Sequence, residues 1–228
     1  MAERRYQSGI MKPLRAAISS LLLCSIILQG WVAQQHFQLH AAAYGLMPRD
    51  ASSLGGIITM PMFHGSAEHL WSNLLALFCL SFLLALFSPG LLPRAILIMW
   101  LCGGTLLWLI GRPLWHIGAS GIVYGLIAWF PSLALMRRNQ TYTVLTLLVL
   151  LYYGSAIWGL LPANPDVSYE GHLSGLISGI IAAFLLRKHI PRDPKSELEE
   201  EQESDEEDPY RRFDYRHRER ITPDDNSL

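Results

Sequence analysis

Two short motifs in this chain carry residues able to do nucleophilic chemistry. One runs His116-Ile117-Gly118-Ala119-Ser120-Gly121, with Tyr124 and Gly125 just behind it. The other is Glu170-Gly171-His172, followed by Gly175 and Gly179. A serine hydroxyl attacks a carbonyl only when a base takes its proton. A neutral imidazole does so near neutral pH and later returns the proton to the leaving group. Ser120 and His172 are therefore the candidate nucleophile and base. A third cluster holds His64, His69 and Asn73. Attack on a carbonyl creates an oxyanion that needs fixed donors, and the Asn73 amide, the His69 ring and the Ser120 backbone N–H are of that kind. His69 and Asn73, four apart, share a helix face. Taken alone, that pair is better explained by a hydrogen bond between two helices. Glu170 lies two residues from His172, which on a helix points elsewhere, so a dyad is expected rather than a triad.

These residues sit at the edges of six apolar stretches, about 14–32, 70–87, 91–110, 119–136, 144–161 and 173–186. Each approaches the ~17–25 residues that a helix needs to cross the hydrocarbon core. Lipid gives the backbone no partners, so such spans are predicted to be helices. Breakers separate them, among them Pro48, Pro61, Ser88-Pro89-Gly90, Gly111-Arg112-Pro113 and Pro162. The first stretch follows Arg4, Arg5 and Lys12 but has no clear small-residue cleavage site, so a retained span is expected rather than a signal peptide.

Charge fixes direction. Arg4, Arg5, Lys12, Arg15, Arg94, Arg137, Arg138, Arg187 and Lys188 fall on one side, and only Arg49 and Arg112 on the other. By the positive-inside rule both termini are expected in the cytosol. The His64–Asn73, Gly118–Tyr124 and Gly171–Gly179 motifs then all open at the non-cytosolic face, where one shared site is possible. Ionisable groups inside spans are costly and are functional candidates by default. The access route for water is expected along His64, Ser66 and Glu68. The long first loop, about His36 to Phe63, is expected to dip into the interface.

Glycines provide the means of assembly. Gly121 and Gly125 bare one face of the fourth span, while Gly171, Gly175, Gly179 and Ala183 recur every four residues along the sixth. Two such faces let helices approach closely. Ser120 stands beside the top of one and His172 beside the top of the other. Tyr124, one turn below Ser120, is placed to stack on an imidazole.

The chain has 228 residues, of which 51% are hydrophobic and 16% charged. A soluble domain carries about a quarter charged residues. Ten of the nineteen acidic residues lie between Asp193 and Asp208, so the rest of the chain is poorer still in charge. Net charge is −1, which gives no reason to expect a nucleic-acid partner. Cys24, Cys79 and Cys102 fall in apolar runs without metal-ligand spacing and read as small hydrophobes, so neither metal nor cofactor is expected. The acidic run after Arg192 cannot bury a core and is expected to be disordered. The expected organisation is a cytosolic segment over 1–13, a six-helix membrane domain over 14–190 and a charged cytosolic tail over 191–228.

Four features together resemble bacterial rhomboid proteases: His64…His69-x-x-x-Asn73 in the second span, Gly118-Ala119-Ser120-Gly121 and the aromatic Tyr124 in the fourth, and Gly171-His172-x-x-Gly175-x-x-x-Gly179 in the sixth. The resemblance covers about residues 45–186. It implies an all-α bundle of six transmembrane helices, rhomboid-like, with Ser120 and His172 as the dyad. It further implies an oxyanion hole of His69, Asn73 and the Ser120 amide, room at Gly118, and support of His172 by Tyr124. The implied activity is intramembrane serine endopeptidase, needing no cofactor. The implied partners are transmembrane protein substrates and the bilayer of the inner (plasma) membrane, and the oligomeric state stays open. One departure stands out: the Trp-Arg pair found in the first loop of some members is absent. A non-catalytic relative would usually lack the serine or the histidine, and both are here. A transport pathway would continue polar residues toward the cytosol, where these spans instead become apolar or small.

Overall fold

The computed structural model describes residues 2–164 and 167–190, with side chains from residue 11 onward. The tail expected to be disordered lies outside the described residues. The long helices are α1 (Ala2–His36), α2 (Ala67–Phe87), α3 (Leu92–Ile110), α4 (Ser120–Arg137), α5 (Gln140–Tyr153) and α6 (Tyr169–Leu186). A 3-10 helix over Gly154–Leu160 prolongs α5. Among the described residues, six helical segments are long and apolar enough to cross a membrane. They coincide with the six apolar stretches of the sequence. The main difference is at α6, which starts a turn before its apolar run. Ser168 Oγ accepts the Gly171 N–H at 3.1 Å and caps that turn, which makes Glu170 and His172 helical.

Helix α6 runs against both α3 and α4. Water does not drive helices together in lipid, so contact quality must. A Cβ on Gly175 would fall on the Gly121 carbonyl of α4, 2.7 Å from its carbon, and one on Gly179 would lie 2.7 Å from the Gly125 carbonyl carbon. Backbone meets backbone there, as the paired glycine faces predict. Gly103 of α3 gives α6 similar room, since a Cβ there would lie 3.2 Å from Ser178 Oγ.

The expected ladder needs one correction. Gly171 does not turn its bare side to α4; a Cβ on it would meet Ser168 Oγ at 2.7 Å and Leu107 of α3 at 3.6 Å. Four residues advance a helix by roughly 400°, so a row of every fourth residue drifts around the axis. Two rungs above Gly179, Gly171 has rotated away. Only its carbonyl stays near α4, 3.3 Å from where a Gly121 Cβ would stand.

The first loop is not a free excursion. It folds into short helical turns, 3-10 at Ala41–Tyr44, Ala51–Ser53 and Met60–Met62 and α at Gly56–Thr59, laid against α3. Trp100 and Trp108 of α3 donate their ring N–H groups to the Ile57 carbonyl at 2.9 Å and the Asp50 carbonyl at 3.0 Å. Arg49 donates to the Gly111 carbonyl at 2.8 Å and the Leu109 carbonyl at 3.3 Å, serving acceptors at the end of α3 that have no intrahelical partner. Hydrogen bonds given and taken by α3 thus hold a loop whose anchoring the sequence left open.

Candidate active site

Ser120 is the first residue of α4, and the strand of chain before it is pinned from three directions. His116 and Leu46 exchange both backbone hydrogen bonds at 2.9 Å. The Gly118 N–H reaches the Met60 carbonyl at 2.8 Å, and the Ala119 N–H donates to His64 Nε2 at 3.4 Å. Gly118 has φ of +105°, a region that side chains other than glycine rarely adopt. A Cβ there would also lie 2.7 Å from His69 Cε1. The turn into the helix therefore demands glycine twice over.

At the top of the α4–α6 contact, His172 Nε2 lies 3.1 Å from Ser120 Oγ. The ring stacks on Tyr124, centroids 4.1 Å apart and planes 11° from parallel. Its other nitrogen, Nδ1, lies 2.8 Å from the Gly159 carbonyl oxygen. Because that oxygen can only accept, Nδ1 carries the proton and Nε2 turns a lone pair to the serine.

Ser120, Tyr124 and His172 open onto a cavity of about 540 Å³ that His69 and Asn73 also line. Asn73 is buried, and its Nδ2 has no hydrogen-bond partner among the described residues. An unspent buried amide costs about 1–3 kcal/mol, a cost that an anion bound in the cavity would relieve. His69, Asn73 and the first-turn N–H of Ser120 thus converge on one space beside the serine. The arrangement can bind a carbonyl oxygen, attack the carbon and hold the resulting negative charge.

His64 corrects another expectation. It has no exposed surface, and neither Ser66 nor Glu68 lines the cavity. Instead His64 stands edge to face with His69 at a centroid distance of 4.9 Å, and edge to face with Trp31 of α1 at 6.5 Å. Gln34 of α1 grips its backbone, donating to the carbonyl at 2.8 Å and accepting from the N–H at 3.1 Å. Burial, helped by the nearby His69, pushes His64 down to about 4. It is therefore a neutral acceptor that braces the serine turn. Ser66 caps α2, accepting the His69 N–H at 3.1 Å. Gly65, Ser72, Trp115 and Val167 line the cavity instead.

A polar network missed in the sequence ties the two motifs together from behind. Glu170 of α6 takes a short hydrogen bond and ion pair from Arg112, which also donates to the Val167 carbonyl at 3.2 Å. His116 contacts Ser168 Oγ at 2.6 Å and the Arg112 carbonyl at 3.1 Å. The Glu170 bond holds Arg112 above its ordinary value, while burial pulls His116 down. Glu170 is thus occupied away from His172, as a dyad requires. Two opposite charges placed on the same membrane side were the available signal for this pair. Nothing in the sequence marks Gly159, whose contribution is a backbone oxygen.

A bundle of six helices long and apolar enough to cross a membrane, with a hydroxyl and an imidazole in contact near one end, is the class of fold that the chain presents. Residues 51–189 match the rhomboid domain, and the chain belongs to the rhomboid family. That family is one of intramembrane serine proteases, and this chain is a multi-pass membrane protein. An uncharacterised protein of Mycobacterium tuberculosis is 36% identical to it over 151 residues, 62% of this chain and 63% of that protein. An uncharacterised protein of Mycobacterium leprae is 35% identical over 142 residues, 58% and 56% of the two chains. A protein of Acanthamoeba polyphaga mimivirus that carries the name rhomboid is 25% identical over 128 residues, 54% and 70% of the two. The chain spans less than two thirds of the length of its mycobacterial relatives.

Proposed function

We propose that the chain is an intramembrane serine endopeptidase that cuts membrane-anchored proteins at or near the non-cytosolic face. The observation that carries this reading is the 3.1 Å contact between Ser120 Oγ and His172 Nε2 at the wall of a cavity large enough for water and a peptide. His172 takes the Ser120 proton as Oγ attacks the scissile carbonyl. The Ser120 N–H, Asn73 Nδ2 and a His69 N–H then hold the oxyanion. The tetrahedral species collapses as Nε2 hands its proton to the leaving amine. A water deprotonated by His172 hydrolyses the acyl-enzyme and restores the serine. Tyr124 supports the imidazole throughout.

The charge asymmetry supports both termini in the cytosol, and the resemblance to bacterial rhomboid proteases supports residence in the inner (plasma) membrane. The catalytic unit is residues 14–190, flanked by a cytosolic segment over 1–13 and a charged cytosolic tail over 191–228. Reconstituted with a reporter anchored by a single membrane helix, the wild-type chain should cleave it. Ser120→Ala and His172→Ala should reduce cleavage to background. Cleavage that survives Ser120→Ala sinks the mechanism.

A further inference from the structure

We propose that the backbone carbonyl of Gly159 is the positioning group for His172, filling the place that a carboxylate takes in a three-membered Ser-His-Asp site. The inference rests on the Ser120–His172 reading and adds a third participant to it. Among the residues whose side chains are described, the carboxylates are Asp50, Glu68 and Glu170. Asp50 accepts from Ser52 and Glu170 from Arg112, and Glu68 is exposed at the start of α2. None is hydrogen-bonded to His172. The Gly159 oxygen is, at 2.8 Å. It selects the imidazole tautomer able to take a proton at Nε2, and it gains strength once the ring becomes positively charged.

Three local features make that oxygen available. First, a 3-10 helix passes each carbonyl to the N–H three residues on. For Gly159 that residue is Pro162, which has no N–H. Trp158, one residue earlier, does give its carbonyl to Leu161 at 3.2 Å. Second, a Cβ at position 159 would collide with the Tyr124 hydroxyl and lie 3.0 Å from His172 Nδ1, so only glycine lets the carbonyl approach. Third, Tyr124 Oη donates to the Ala156 carbonyl at 2.6 Å, which ties the ring stacked on His172 to the same 3-10 segment. The end of α5 therefore holds the base by its edge and by its face. Any shift of residues 154–160 withdraws both supports together.

A single-atom change tests this. Replacing Leu160 by its α-hydroxy acid analogue turns the 159–160 amide into an ester, leaving every side chain in place and weakening the Gly159 oxygen as an acceptor. The same replacement at Leu161 removes the bond to Trp158 and leaves Gly159 an amide carbonyl. Cleavage of a helix-anchored reporter in liposomes should show kcat down about tenfold for the ester at 160, with KM within about twofold, and kcat within about twofold of wild type for the ester at 161. Nitrogen-15 spectra of ring-labelled His172 should show protonated Nδ1 in the wild type and a tautomer mixture with the ester at 160. Equal kcat for the two esters, or an unprotonated Nδ1 in the wild type, overturns the inference. Labelling of wild-type Ser120 by a fluorophosphonate separates the two levels. Labelling with a silent ester sinks only the Gly159 role, whereas no labelling sinks the dyad on which it rests.

Discussion

Replacing Gly175 with alanine asks whether the distance between α4 and α6 sets the chemistry. The new methyl would stand 2.7 Å from the Gly121 carbonyl carbon, a backbone atom that cannot rotate away. Carbon atoms in contact settle no closer than about 3.5 Å. The two helices must then part by at least about 0.8 Å at this level, because the carbonyl oxygen lies closer still. Gly175 lies three residues below His172 on the same helix. The Nε2–Oγ distance of 3.1 Å would open to at least about 3.9 Å, beyond hydrogen-bond reach. Loss of a positioned general base typically costs about 10²–10⁴ in rate. Overpacking itself typically costs about 1–3 kcal/mol of stability, so the variant should still fold. The assay is reporter cleavage in liposomes beside a denaturant titration in the same lipid. Gly154→Ala is the control, because a Cβ there meets nothing within 4 Å. A folded Gly175→Ala enzyme with kcat within about threefold of wild type would show that the helix spacing does not govern the dyad.

Asn73→Ala should lower kcat by about 10²–10³ with little change in KM, since its free amide serves the oxyanion and little else. Comparable kcat for the variant and wild type removes Asn73 from the site. His64 gives a pH signature with a defined sign. The folded imidazole is held down to about 4 against an ordinary 6.5, so between those values the unfolded chain binds more protons. Its contribution to stability is therefore whole above pH 6.5 and is lost as pH falls toward 4, by about 3 kcal/mol. Unfolding titrations from pH 7 to 4 should show a shallower decline for His64→Gln than for wild type. Parallel curves would place the sensitivity elsewhere.

The apolar stretches located all six helices, because length and hydropathy decide insertion before any tertiary contact forms. They misplaced the start of α6, where a serine cap rather than hydropathy begins the helix. Ser120, His172, His69 and Asn73 were legible because each is a polar or titratable group at the edge of a span, where its cost demands an explanation. The sequence places His64 along the water route, whereas the structure buries it. Its burial comes from Trp31 and Gln34, on a helix that contributes nothing recognisable to the motif. The Arg112–Glu170 pair joins the α3–α4 loop to the first turn of α6, 58 residues on, and spacing alone gives no reason to match them.

Sequence by itself determined which segments enter lipid, which groups are candidates for chemistry, and which surfaces are bare enough to let helices meet. It also placed a proline where a 3-10 hydrogen bond would otherwise close. Only the tertiary structure decided how those surfaces rotate against one another, which glycine drops out of the contact and which oxygen faces the imidazole. The physical reason is that side-chain identity is written in the sequence, whereas a backbone carbonyl belongs to every residue. Only the path of the chain in space can single one out.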